Sequence, residues 1–187
     1  MQIEKDTMKC EAIFNDERTH RYLWKRVWNK DKPIAAVIML NPCLSDNIIT
    51  DTTTALVCNN VARLEAYGGV VILNLYSQLT PKLNFRWNSD EDLNDSENDV
   101  YIRKMAAECE TVILAWGKAS DNTQRVADRA EAVLEQLKPF AKKLFLISDG
   151  DRCGLHPLTP SIRGSWNLVP FRYENSTDDE TEQQAER

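Results

Sequence analysis

The sequence predicts an α/β fold: a three-layer α/β/α domain around a central four-stranded parallel sheet, with an N-terminal antiparallel hairpin beside it. Three observations predict this. Four short runs are almost wholly apolar, Ile34–Leu40, Val70–Leu73, Thr111–Ala115 and Lys143–Ser148, as strands covered on both faces are. Helical stretches separate them, which is the strand–helix alternation of a parallel sheet. Each run ends in a polar segment, and right-handed crossovers bring all four such ends to one edge.

The elements follow in order. Lys9–Phe14 and Arg21–Trp28 are strand-like, with Asn15-Asp16 in the turn region between them, and predict the hairpin. Asp31-Lys32-Pro33 punctuates the chain before the first buried strand, Ile34–Leu40. Thr52–Tyr67 reads as a helix with Thr50 or Asp51 as its N-cap and Gly68-Gly69 as its end. Val70–Leu73 is the second buried strand, and the polar connection through Asp99 reads as a solvated or mobile loop. Asp99–Cys109 is predicted helical, Thr111–Ala115 is the third strand, Asp121–Leu137 a helix stopped before Pro139, and Lys143–Ser148 the fourth strand. The chain of 187 residues fits one domain, 1–173, followed by an acidic tail, 174–187, whose composition predicts disorder.

Charge is unevenly spread. The net charge is −6, but Glu174–Arg187 holds six acids against one arginine, and Asp90–Asp99 holds six acids and no base. The remaining chain is therefore net basic, so overall acidity does not exclude a nucleic-acid partner. The absence of an 18-residue apolar run and of an apolar leader predicts no membrane span and a cytoplasmic protein. Five cysteines, Cys10, Cys43, Cys58, Cys109 and Cys153, have irregular spacing and no Cys-x-x-Cys pair. They predict reduced, mostly buried thiols, with no zinc site, disulfide framework or iron–sulfur cluster. No metal or cofactor is expected, and a monomer is the expected state.

In open α/β sheets, ligands bind beyond the carboxyl ends of the strands. The four exits here are NPCLSD, NLYSQLTP, WGKASDN and SDGDRCGLHPLTPS. They predict that Asn41, Asn74 and His156 converge on one cleft. No Walker A loop, Gly-x-Gly-x-x-Gly or Gly-x-Ser-x-Gly occurs, which turns the reading away from phosphate cradles and serine hydrolases.

The segments MLNPCLSD, VVILNLYSQLT, VILAWGKAS and HPLTPS together resemble the motifs of the uracil-DNA glycosylase superfamily, in order, over about Ile34–Ser161. The chain is also similar to a bacterial and phage family catalogued as a domain of unknown function, with Asn-Pro-Cys/Ser and His-Pro-Leu signatures. The first resemblance implies a DNA glycosylase that hydrolyses the N-glycosidic bond of a flipped-out base. It implies that Asn41 orients the attacking water, Asn74 reads the base, and His156 stabilises charge on the departing base. An amide does not titrate near neutrality, so Asn41 is a positioning group rather than a strong base. A hydrogen-bond donor aimed at the base oxygen acts as in any oxyanion site.

Pro42, Cys43 and Tyr76 are expected to shape the base pocket, with Trp116 as a further stacking surface. Cys43 stands where uracil-selective members can hold a bulky aromatic, which implies room for a C5 substituent. The implied substrates are thymine, hydroxymethylcytosine or a glucosylated base of phage DNA, attacked as antiviral defence. Leu158 or Ile162 is the expected wedge. Ser45, Lys118, Arg152, Ser161 and Arg163 are the expected DNA contacts. Two other readings stay open: a non-catalytic nucleic-acid or nucleotide-binding module, and a hydrolase or transferase acting on free nucleosides.

Overall fold

The structure is a computed structural model that describes residues 1–43, 48–121 and 123–173. Its seven strands are β1 (Lys9–Phe14), β2 (Arg21–Val27), β3 (Ile34–Met39), β4 (Gly69–Asn74), β5 (Thr111–Leu114), β6 (Leu144–Ser148) and β7 (Asn167–Pro170). The α-helices among the described residues are α1 (Thr52–Arg63), α2 (Asp90–Leu93), α3 (Glu97–Glu108) and α4 (Gln124–Leu137). One mixed sheet contains all seven strands, in the order β1-β2-β4-β3-β5-β6-β7.

The four apolar runs form the parallel centre. Ile34 pairs with Gly69 and Met39 with Asn74 across β3 and β4, and Ala35–Ile38 pairs with Thr111–Leu114 across β3 and β5. The sheet is nonetheless larger than four strands. The β1–β2 hairpin does not stand apart but continues the sheet, with β2 antiparallel to β4 through Trp24 and Ile72. At the far edge β7 pairs antiparallel with β6. Of its four residues, NLVP, the outer two are exposed and the inner two half-buried, and it ends in proline, so an edge position suits it.

Strand pleating sorts the core into two clusters. Ala36, Ile38, Val71, Leu73, Val112 and Leu114 face α3 and α4, meeting Ile102, Met105, Val126, Ala130 and Val133. Ala35, Val37, Met39, Val70, Ile72 and Ile113 face the other way, meeting Val57, Cys58 and Val61 of α1 together with Leu155, Ile162 and Trp166. Each fully buried aliphatic side chain contributes roughly 1.5–3 kcal/mol of hydrophobic stabilisation before entropy is counted.

Boundaries depart from expectation where local chemistry acts. Helix α1 ends at Arg63 because Glu65 adopts a left-handed φ of 57°, and the chain then turns before Gly68. A β-carbon on Gly68 would stand 1.9 Å from the Asn29 carbonyl oxygen, so strand β4 can begin against the hairpin only from glycine. Part of the acidic connection is ordered by a capping box, Ser89 with Asp92, that starts the single turn α2. The end of α3 is held by Lys143, whose Nζ donates to the carbonyls of Ala106, Ala107 and Cys109 at 3.2, 2.9 and 2.9 Å.

No helix among the described residues is long and apolar enough to cross a membrane. The cysteines are free, but Cys10 and Cys153 are exposed, so fewer thiols are buried than expected. Burial pushes the Cys58 and Cys109 thiols up to about 11. The expected disordered tail lies outside the described residues.

Candidate active site

A cavity of about 340 Å³ opens at the carboxyl edge of the parallel strands, lined by Asn41, Cys43 and His156 together with Arg21, Asp51, Trp116 and Leu158. Six separate segments build it: the start of β2, the end of β3 and its exit, the start of α1, and the chain beyond β4, β5 and β6. Of the three residues expected to converge, Asn41 and His156 meet at this hollow, and Asn74 is not among its lining residues.

Asn41 is held by its amide nitrogen, which donates to the carbonyls of Thr80 at 2.8 Å and Pro42 at 3.2 Å. Two carbonyl acceptors fix which end of the amide is nitrogen. Its Oδ1 then has no partner among the described residues and is free to accept from a water or ligand. Pro42 is itself buried and outside the cavity lining; its carbonyl serves as an anchor for Asn41, which corrects its expected place in the base pocket.

His156 is equally constrained. The Leu158 backbone N–H donates to Nδ1 at 3.2 Å, so the neutral imidazole carries its proton on Nε2. Burial lowers its pKa below the ordinary value of 6.5, which keeps the ring neutral at pH 7. Behind it Gly117, at φ 63°, allows the β5 exit to pass against the ring's backbone. Lys118 is exposed on the following turn, Gly117–Asp121.

Asn74 closes β4 and is 1% exposed, with no partner for Nδ2 among the described residues. It pairs with Met39, so both side chains lie on the α1 face, and Met39 lines the cavity. A buried amide donor without an acceptor costs about 1–3 kcal/mol.

Tyr76 is misplaced by sequence reasoning. It is expected to shape the base pocket, but Leu73, Leu75 and Tyr76 all belong to the α3–α4 core. The phenol instead donates to the Arg125 carbonyl at 2.9 Å and its ring meets Phe85 edge-on at 5.6 Å. It borders a larger hollow of about 670 Å³, ringed by Asp90, Glu91, Asp95 and Asp128 as well as Arg125 and Arg129. That acidic surround disfavours anions there.

Ile162 is corrected as well. It is 1% exposed and packed in the α1-side core, so Leu158, 38% exposed at the cavity, is the remaining wedge candidate. Arg152 and Ser161 are committed to Asp149: Ser161 Oγ donates to its carboxylate at 2.7 Å and Arg152 Nη2 pairs with it at 2.6 Å. Those bonds, Ser161 first, hold the Asp149 carboxyl well below the usual carboxylate range. Arg163 reaches back to the Leu158 carbonyl at 2.9 Å, and its own carbonyl accepts from Asn60 of α1 at 3.1 Å. Ser45 lies outside the described residues.

Two cavity residues escaped sequence reasoning. Asp51 was seen only as a helix cap, and Arg21 only as one base of a hairpin. Asp51 Oδ1 does accept from the Thr54 N–H, but Oδ2 also accepts from the Cys43 thiol at 2.9 Å and the Thr54 hydroxyl at 2.8 Å. Arg21 is 3% exposed; burial lowers its pKa, opposed by the charges of Cys43 and Asp51. No cluster of His, Cys, Asp and Glu suited to a metal occurs among the described residues.

A family model described as "Protein of unknown function (DUF1643)" matches residues 21–158, a span that runs from Arg21 to Leu158 and includes both Asn41 and His156. No curated protein matches the chain, and no solved structure does.

Proposed function

The chain belongs to the DUF1643 family, and from its cavity we propose that the protein is a DNA glycosylase, one that hydrolyses the N-glycosidic bond of a flipped-out modified pyrimidine. The carrying observation is the pairing, in one cavity, of an Asn41 Oδ1 with no partner among the described residues and a His156 whose Nδ1 accepts the Leu158 N–H, leaving Nε2 to carry the ring proton. The resemblance of the four strand-exit motifs to the uracil-DNA glycosylase superfamily supports this reading. The two separately packed faces of the sheet support the three-layer arrangement that the resemblance implies.

The reaction asks little of a base catalyst. The C1′–N bond breaks heterolytically and its electron pair stays with the departing base. His156 Nε2–H donates to the oxygen where that charge accumulates. Asn41 Oδ1 orients a water whose oxygen adds to C1′, and the released proton neutralises the base. The resemblance assigns reading of the base edge to Asn74, whose buried amide lies on the same sheet face as Met39 of the cavity wall but outside the lining itself. The cavity, at the low end of the range for ligand sites, suits one extruded base. Cys43 leaves a small side chain at its wall, so the favoured substrates carry a C5 group: thymine, hydroxymethylcytosine or its glucosylated form. Attack on such phage DNA would serve antiviral defence.

A second reading, hydrolysis of a free nucleoside, is favoured by one observation: Arg152 and Ser161 are spent on Asp149 rather than free for phosphates. The test is incubation with single- and double-stranded oligonucleotides carrying uracil, mismatched thymine, hydroxymethylcytosine or glucosylated hydroxymethylcytosine. Abasic sites are scored by alkali, with Asn41→Ala and His156→Ala alongside. Excision that falls about 100-fold or more in both variants supports the proposal. No abasic product from any oligonucleotide defeats it, and release of base from free nucleosides alone selects the second reading.

A further inference from the structure

We propose that Asp51 is a catalytic residue of this cavity, whose carboxylate faces the sugar and stabilises the positive charge that develops on it; this rests on the glycosylase reading. Any residue at the start of α1 that accepts the Thr54 N–H would satisfy the helix. Asp51 does more than that. Its second oxygen is fixed by the Cys43 thiol and the Thr54 hydroxyl at 2.9 and 2.8 Å, and the residue lines the cavity together with Asn41 and His156.

Three protein donors on one carboxylate make it a poor proton acceptor and a persistent anion. That argues for a fixed charge and against a general base, the opposite of what a free carboxylate beside a water would suggest. Arg21 lines the same cavity and interacts electrostatically with Asp51. Heterolysis of a glycosidic bond makes one charge of each sign, a cationic sugar and an anionic base. The cavity therefore holds a complementary set, with Asp51 for the sugar and the His156 donor for the base.

The test separates charge from capping. Asparagine and serine cap helices about as well as aspartate, so Asp51→Asn and Asp51→Ser keep the bond from the Thr54 N–H while removing the charge and the second acceptor used by Cys43 and the Thr54 hydroxyl. Duplexes carrying a neutral tetrahydrofuran abasic site or a cationic pyrrolidine abasic site serve as probes, read by fluorescence anisotropy, with thermal unfolding as the control. The wild-type protein is expected to bind the pyrrolidine duplex about tenfold more tightly, as one partly buried charge pair would produce. Both variants are expected to lose that preference, keep their affinity for the tetrahydrofuran duplex within about twofold, and remain folded at the assay temperature, with a lower unfolding temperature from the lost contacts to Cys43, Thr54 and Arg21. Tetrahydrofuran binding without a pyrrolidine preference in the wild type, or a preference that survives in both variants, overturns the role of Asp51 and leaves the glycosylase reading standing. Loss of fold or of all binding in both variants makes Asp51 structural and likewise overturns it. A wild-type protein that binds neither duplex overturns both.

Discussion

Gly117 and His156 approach so closely that a β-carbon at position 117 would stand 2.7 Å from the His156 Cβ. The contact is with a fixed part of the histidine, so it cannot be relieved by a rotamer change. Gly117 also has a φ of 63°, which an L side chain adopts at a cost of about 1–2 kcal/mol. Gly117→Ala is therefore expected to lower stability by about 2 kcal/mol and to displace the imidazole. Chemical denaturation reads the first effect. The His156 imidazole resonances, easily told from those of His20 in a chain with two histidines, read the second.

His156 also sets a pH dependence. Its pKa is lowered by burial in the folded state, so as pH falls through 6.5 the unfolded chain takes up a proton that the folded chain refuses. Stability is expected to decline from that point until the folded pKa is passed, and to be indifferent to this group above it. Protonation on Nδ1 would also break the bond from the Leu158 N–H, so excision should fall over the same acid window. An imidazole titration by NMR that places His156 at or above 6.5 would contradict both expectations.

Asn74 is expected to trade stability for function. Its buried Nδ2 lacks an acceptor among the described residues, and leucine is close in shape without that penalty. Asn74→Leu should unfold at the same or a higher denaturant concentration, by up to about 1 kcal/mol. Base excision should nonetheless be lost. A variant that is destabilised by several kcal/mol would mean that the amide is satisfied within the fold.

Arg129 anchors the end of β4 from the opposite side. Its Nε donates to the Leu75 carbonyl at 2.7 Å, and its Nη2 pairs with Asp99 of α3. Burial alone would raise Asp99, but the hydrogen bonds and charge of Arg129, with Gln136, hold it below its ordinary value. The stabilisation is thus present above the unfolded carboxylate range and lost as pH falls through the folded pKa. Arg129→Met strands a mostly buried carboxylate and is expected to cost about 2–4 kcal/mol by urea denaturation near neutral pH, with a smaller difference from wild type in acid.

The parallel centre was legible in the sequence because strands buried on both faces need unbroken apolar runs, and nothing else in the chain has them. Strand β7 was not, since a four-residue edge strand with two exposed and two half-buried residues carries no such pattern. At the site, Asn41 and His156 were legible as strand exits with proline beside them. Tyr76 misled because an aromatic at a strand end reads as a stacking surface, whereas the chain beyond Asn74 carries Leu75 and Tyr76 together into the α3–α4 core. Ile162 misled for another reason: a lone apolar residue in a polar loop reads equally as a wedge or as an anchor. The Arg21 and Asp51 roles depend on a meeting between the hairpin and the α1 entrance, 30 positions apart, which no local pattern encodes.

Asn60 sits wholly buried within α1, its Nδ2 shared between the Leu56 carbonyl of its own helix and the Arg163 carbonyl beyond the histidine turn. One wall of the hollow is carried by the helix that begins beside Asp51, the other by the segment that Asn60 grips. The aperture between them is therefore set from below, by a residue absent from the cavity lining. Selection for a bulkier or slimmer guest could act at position 60 and leave every reacting group in place, so changes in what this protein accepts should be sought beneath the cleft as well as inside it.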